Sequence, residues 1–175
     1  MTIAHFVNEG EHVRVPVWVT DLETFRRWTD DADFPEHSRF FLGSELEVDM
    51  NKELLFTHNE VKSEINTVLR TLANARRLGR YFHDGVFWSN VEANVAVQPD
   101  GLFVSTEARR DNRVRLIEGR YQGYIKGSPD MVLEVVSRSS VDKDTVLLRD
   151  AYARAGVREY WLVDARVTPL RFDLL

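Results

Sequence analysis

The stretch PDMVLEVVS, Pro129 to Ser137, places one residue capable of acid–base or metal chemistry, Glu134, inside an otherwise apolar run. In an extended chain alternate side chains share a face, so Met131, Leu133 and Val135 point one way and Val132, Glu134 and Val136 the other. Both faces are apolar apart from Glu134, the pattern of a covered central strand. A carboxylate there must be compensated by a cation, a metal ion or an opening to water, because burying it alone is costly. Two readings follow, a buried ion pair with an arginine or a ligand in an acidic site. Asp130, four residues earlier, has the parity of Glu134, although its setting in Gly-Ser-Pro-Asp also suits a turn. Asp100 lies in VQPDGLFV, where Pro-Asp-Gly between two apolar runs reads locally as a hairpin turn. If Asp100 and Glu134 instead converge at one end of a sheet, they form a hard oxygen site for Mg²⁺ or Mn²⁺.

Other titratable residues are weaker candidates. His58 opens a helix predicted from THNEVKSEINTVLRTLANARRLG, where it is either a satisfied cap-region histidine or a site residue. Glu64 borders that helix's expected buried face, formed by Val61, Ile65, Val68, Leu69 and Leu72. Glu45 and Glu47 share one side of a predicted strand, SELEVDM, where a solvent-facing row is the plain alternative. The chain has no cysteine, so disulfides and thiolate metal sites are excluded. Neither a G-x-S-x-G nucleophile motif nor a phosphate-cradling glycine loop occurs.

These residues must be positioned by a chain of 175 residues, 43% hydrophobic and 29% charged, enough for one domain with a real core. The expected class is a mixed α/β fold: a central sheet flanked by helices, with a parallel strand–helix–strand crossover through Glu134, a helix over about 141–155, and REYWLVD. Capping boxes are expected at Thr20/Glu23 and Thr57/Glu60, and a weaker cap at Ser139/Asp142. Strands are expected in GVFWSNV, ANVAVQ, LFVS, RVRLIEG, YQGYIKG and LRFDLL. No secretory signal or membrane-spanning run is evident, so a soluble, cytoplasmic protein is expected. The net charge of −5 is uneven: residues 1–60 carry 13 acidic and 5 basic side chains, the remainder 15 and 18. Arg109, Arg110, Arg113, Arg115, Arg120 and Lys126 form either a solvated edge or a phosphate-contacting rim beside an acidic site.

The segment SPDMVLEVVSRSSVDKDTVLLRDAYARAGVREYWLVDA resembles the signature of the Uma-type restriction endonucleases, a bacterial family with the PD-(D/E)XK nuclease fold. The matching residues are Pro129-Asp130, Glu134-Val135, Ser137, Tyr152, Ala155-Gly156-Val157, Glu159-Tyr160-Trp161 and Val163-Asp164. Glu45, His58 and Pro99-Asp100 also fall where that family tends to carry them, so the resemblance runs from about Val17 to Leu175. It implies a single restriction-endonuclease-like domain over 1–175, with an N-terminal extension of about 40 residues that contains a short helix. It further implies a metal-dependent DNA endonuclease, with Asp100 and Glu134 holding Mg²⁺ or Mn²⁺ and Glu45, His58, Glu64, Asp130 and Arg149 in support.

The nuclease relatives place a lysine two residues after the glutamate, and here that position is Val136. The family's other lysine position, four before the tyrosine, is Leu148. Lys143, whose long stem can reach back toward the strand end, is the expected replacement, and Arg149 can act only electrostatically. The alternative is a nuclease fold that binds nucleic acid or protein without cutting. Cutting both strands of a duplex needs two sites, so a twofold homodimer is expected, with Phe40, Phe41, Trp88 and Phe103 as interface candidates.

Overall fold

The structure is a computed structural model. It describes residues 3–7, 15–31, 39–42, 45–49, 58–119, 123–138 and 140–175, with 3–7, 39–42 and 45–49 described for their backbone alone. Among the described residues, twelve strands form two sheets. The larger has the order β1 (Ile3–Val7), β3 (Glu45–Asp49), β2 (Arg39–Leu42), β6 (Val95–Val97), β5 (Phe87–Asn90), β9 (Tyr124–Gly127), β8 (Val114–Ile117). The smaller has the order β12 (Arg171–Leu174), β11 (Glu159–Asp164), β10 (Met131–Val135), β7 (Gly101–Ser105), β4 (Gly79–His83). The mixed α/β class holds, with the strands divided between two sheets.

Glu134 sits on β10, and all five residues of that strand are buried. β10 pairs with β11 in parallel, and the helical segment between them supplies the expected crossover. On its other side β10 runs antiparallel to β7, with Leu133 opposite Gly101. Met131, Leu133 and Val135 cluster with Val61, Ile65, Leu69 and Ala73, so helix α2 (Glu60–Ala75) covers that face. Val132 and Val136 share the main core with Trp88, Val95, Val97, Leu148 and Tyr152. Helix α4 (Leu148–Arg154) and the larger sheet therefore cover the face that carries Glu134. Helix α1 (Leu22–Thr29) places Phe25 and Trp28 against Phe87 and Ala96 of the larger sheet. The N-terminal 40 residues thus contribute β1, α1 and the start of β2.

Several local expectations change. The Pro-Asp-Gly segment is no hairpin turn, because β6 and β7 belong to different sheets and the segment carries the chain between them. The α1 cap is Asp21, whose carboxylate accepts from the Thr24 backbone N–H at 2.9 Å while Thr24 answers the Asp21 N–H. The expected box was displaced by one residue. Thr57 and Ser139 lie outside the described residues; Asp142 makes no side-chain cap, and the Ser137 and Ser140 hydroxyls bond each other at 2.9 Å before the helix. The buried stripe of α2 is also different. Val68 is 61% and Leu72 46% exposed, whereas Lys62 and Asn66 are buried. Two elements lack any apolar periodicity to announce them: β4, and the short helix α3 (Thr106–Arg110).

Trp88 is fully buried, with its indole N–H donating to the Gly127 carbonyl at 2.7 Å and its ring 5.2 Å from that of Tyr152. It therefore cannot serve a dimer interface. Phe103 packs in the α2 cluster, and the side chains of Phe40 and Phe41 lie outside the described set. Trp88→Ala should leave a cavity and remove the shorter of two hydrogen bonds to the Gly127 carbonyl, which the Asn90 amide also reaches at 3.4 Å, lowering stability by about 3–5 kcal/mol in urea denaturation; a loss below about 1 kcal/mol would show that the two sheets do not share this core.

Candidate active site

The antiparallel register of β7 and β10 sets Gly101 opposite Leu133, so one residue further Asp100 stands opposite Glu134. The Asp100 carboxylate accepts from the Val135 N–H at 2.8 Å. Its main-chain carbonyl is held by the Asn66 amide at 3.1 Å and by the Asp84 N–H at 3.2 Å. Tyr81 completes this anchorage by donating to the Asn66 side-chain oxygen at 2.6 Å. Gly101 is required for that approach, since a Cβ there would lie 2.0 Å from the Tyr81 hydroxyl oxygen.

Helix α2 and the turn leading into it supply the polar groups around Asp100. His58, Lys62 and Asn66 follow at four-residue spacing and so share one face, and all three are buried. His58 Nε2 lies 3.6 Å from Asp100 Oδ2. Lys62 Nζ lies 3.5 Å from Asp100 Oδ1 and 3.3 Å from Asp84 Oδ2, with its side chain only 5% exposed. Burial alone would raise the Asp100 pKa, but the His58 contact, the Lys62 charge and the Val135 N–H outweigh it and hold the carboxyl below its usual range.

Glu134 has the opposite environment. It is 3% exposed, and burial drives its pKa well above the ordinary value despite the nearby Lys143 charge, with Asp144 and Asp100 adding to the rise. The Tyr152 hydroxyl donates to Glu134 Oε1 at 2.5 Å. That phenol is itself held far from ionising by burial, so it is a permanent donor. Lys143 opens a π-helical turn, Lys143–Leu147, ahead of α4. Its ammonium lies 3.1 Å from Asp144 Oδ1. Asp144 is 1% exposed, accepts from the Ser140 hydroxyl, and has its pKa raised by burial. The Tyr160 hydroxyl fixes the same turn by donating to the Asp144 carbonyl at 2.8 Å.

The remaining expected residues disperse. Asp130 immediately precedes β10, four residues and about 13 Å from Glu134 at the usual strand rise, and its hydrogen-bond partners lie elsewhere. It accepts from the Ser105 N–H at 2.7 Å and from Arg113 at 2.6 Å, which makes it a structural link to β7 and β8. Burial pushes its pKa up, and these donors bring it below normal. Glu64 is exposed on α2. Glu45 is the first residue of β3, in the larger sheet, with its side chain outside the described set. Arg149 is exposed and lines a separate 210 Å³ hollow with Thr145, Asp164 and Arg171. Arg109, Arg110 and Arg113 follow the end of β7 opposite to Asp100, so they form no rim directly beside the acidic pair. Arg120 lies outside the described residues. Lys62, Asp144, Asn66 and Tyr81 were absent from the expectations; the four-residue repeat from His58 through Lys62 to Asn66 was the available signal for two of them.

Restriction-endonuclease-like enzymes use divalent metals, and the donor chemistry here is compatible with one. Among the described residues no group of three or more His, Asp or Glu side chains is arranged to hold a metal. Two opposed hard carboxylates nevertheless suit Mg²⁺, which keeps several waters and takes one or two protein carboxylates together with substrate phosphate. Glu134 is the residue with most to gain, because it is buried beside like charges.

The upward shift of Glu134 has a definite sign in the metal-free protein. A carboxyl whose folded pKa is raised stabilises the fold below its unfolded value of about 4.5, and that contribution is lost as pH rises toward the folded pKa. Metal-free Glu134→Gln should therefore melt at a higher temperature than wild type at pH 8, with the difference shrinking toward pH 4.5. A variant that melts lower at pH 8 by a similar margin at every pH would contradict a strained Glu134.

No curated protein matches the chain. A solved structure with the same fold is that of a putative nuclease belonging to DUF820 from Anabaena variabilis, 14% identical, covering 90% of this chain and 84% of its own, with a TM-score of 0.65. Residues 22–171 match the Uma2 family, described as "Putative restriction endonuclease". This match spans the Asp100 and Glu134 strands, α2, α4 and the C-terminal signature, and the chain belongs to the Uma2 restriction endonuclease family.

Proposed function

We propose that this protein is a Mg²⁺- or Mn²⁺-dependent endonuclease that hydrolyses DNA phosphodiester bonds. Family and fold indicate a restriction-endonuclease-like nuclease. The observation that carries the finer reading is the placement of Asp100, just before β7, next to the Gly101–Leu133 pair that precedes Glu134, with Lys62 3.5 Å from the Asp100 carboxylate and the Lys143 charge acting on Glu134. Asp100 and Glu134 are the metal-holding residues in this reading. When bound, the metal supplies Lewis-acid polarisation of the phosphate and eases deprotonation of the attacking water.

The protein's own groups do the rest. Tyr152 orients Glu134 by donating to one of its oxygens, and in this reading the other oxygen serves the metal. The Val135 N–H and Asn66 fix Asp100 at its side chain and its main chain respectively. Lys143, drawn toward Asp144 and within the field of Glu134 and Asp100, stabilises charge developing on the phosphate. Lys62 does the same from the α2 side, beside Asp100. The motif lysine has no room at its usual place: Val136 is 1% exposed and belongs to the main core. Leu148 is equally buried there.

That burial also favours a second reading, a nuclease fold that binds nucleic acid without cutting it. Turnover separates the two. With Mg²⁺ or Mn²⁺ and plasmid, linear duplex or RNA, wild type should cleave DNA, and Asp100→Asn and Glu134→Gln should abolish cleavage. Lys143→Ala should lower it on the order of 10²-fold, with metal affinity by calorimetry little changed. Arg149→Ala should be milder, because Arg149 is exposed and lines a separate hollow. Wild type that binds metal and nucleic acid but turns over nothing would establish the non-cutting reading. A twofold homodimer belongs to the same proposal, because two strands need two sites; a monomeric mass by light scattering would remove it. Among the described residues no helix is long and apolar enough to cross a membrane.

A further inference from the structure

The side of α2 that faces β4 carries three adjoining hollows. The first, about 200 Å³, is lined by Lys62, Asn66, Arg70, His83 and Asp84 among others. The second, about 370 Å³, shares Arg70 and His83 with it and adds Asn74 and Arg80. The third, about 340 Å³, shares Asn74 and Arg80 with the second and adds Arg77, Thr106 and Arg109. They form one groove between α2 and β4, which among the described residues has a strand partner only on its β7 side. Lys62 connects the groove to the acidic pair, because its ammonium touches both Asp84 in the first hollow and Asp100 in the site.

The charge of this groove is one-sided. Lys62, Arg70, Arg77, Arg80 and Arg109 line it, and Asp84 is the single acidic residue among the described lining side chains. The four arginines are exposed, and none forms an ion pair with a carboxylate among the described residues. Arg70 is held across the groove by donating to His83 Nε2 at 3.0 Å, which bridges α2 to β4. A net charge of −5 makes this concentration of unpaired cations a local feature of the surface. The third hollow depends on the Gly79 backbone: φ is +157°, and a Cβ there would lie 2.2 Å from the Val104 carbonyl oxygen.

We propose that this α2–β4 groove carries the phosphodiester backbone of one nucleic-acid strand to the Asp100–Glu134 site. The inference rests on the nuclease reading for what happens at the end of the groove, and on charge and continuity for the groove itself. Lys62 and Asn74 are about 18 Å apart along the helix at its normal rise, the length of about five nucleotides of a duplex strand. Arginine spacing along the groove therefore matches several successive phosphates, with Asn66, Asn74 and Thr106 as further donors. Phosphate contacts of this kind position a strand without reading its sequence.

The test is fluorescence anisotropy with fluorescein-labelled single-stranded DNA, duplex DNA and RNA, in EDTA, across a salt series. Wild type should bind at low salt. The double variant Arg70→Glu/Arg80→Glu should weaken binding more than about tenfold near 0.1 M salt, and Arg109→Ala alone should reduce the salt slope by about one. Arg154→Glu, an exposed charge reversal at the end of α4 on the other face of the sheet, should change affinity less than about twofold; this separates location from total charge. The three probes identify which nucleic acid the groove prefers. Loss of affinity in Arg154→Glu equal to that in the groove variants overturns the proposal, as does an absence of binding by wild type to every probe. Parallel assays with Mg²⁺ or Mn²⁺ keep the two readings apart. Binding that depends on the groove without cleavage by wild type refutes the nuclease reading and retains the groove. Cleavage that survives unchanged in the groove variants refutes the groove and retains the nuclease.

Discussion

The buried carboxylate of Glu134 is the constraint around which the smaller sheet is organised. A strand covered on both faces cannot normally carry an acid, and the surroundings show how the cost is distributed. Tyr152 reaches it from α4 and Lys143 approaches from the helical turn that follows, against the like charges of Asp144 and Asp100. None of these fully offsets the lost hydration, which is why burial still dominates its pKa. A site with unspent electrostatic demand is what a cation-dependent reaction requires, whereas a purely structural acid would be satisfied as Asp130 is. Asp130 has Ser105 and Arg113 at close range and a depressed pKa. Two acids four residues apart, Asp130 just before β10 and Glu134 within it, thus have opposite electrostatic environments.

The same demand shapes the two helical segments that bracket the site. Helix α2 departs from ordinary amphipathicity by turning His58, Lys62 and Asn66 inward while Val68 and Leu72 face out. The exchange places polar groups where Asp100 needs them, at the cost of apolar surface left to water. Ahead of α4, the chain widens into a π turn from Lys143 to Leu147, a form that is rare and concentrated at functional sites. Ser140, Asp144 and Tyr160 lock that turn from within, so the position of Lys143 is set by the fold and not by the freedom of a surface lysine.

Family membership and this geometry bear on different questions. The family establishes the type of protein, and the low identity of the solved relative limits that comparison to fold. This chain has Val136 and Leu148 packed in the core, and the lysines near the acidic pair are Lys62 and Lys143, each beside an aspartate, which the proposed function takes as the cations of the site. Electrostatic stabilisation depends on where the charge is held, so a lysine entering from another element can serve provided its stem is fixed.

Much of this was legible in the residues. Alternation along β10 exposed Glu134 as an anomaly, the C-terminal signature announced the family, and helical and strand periodicities gave the α/β class, because each depends only on local geometry. The partners of Glu134 were legible only in part: Lys143 lies a few residues on in the chain, whereas Lys62 belongs to a helix whose buried face periodicity assigned to Val68 and Leu72. Asp130 shared the right parity and failed on distance, since parity fixes a face and says nothing of which end of a strand a site occupies. Asp100 read as a hairpin turn until the pairing of β7 with β10 and of β6 with β5 put its neighbours in separate sheets. Sheet order, register and the division into two sheets arise from pairing between residues distant in the chain, and those pairings leave no periodic trace in either partner alone. The sequence by itself therefore determined the acid, and only the tertiary structure decided what stands opposite it.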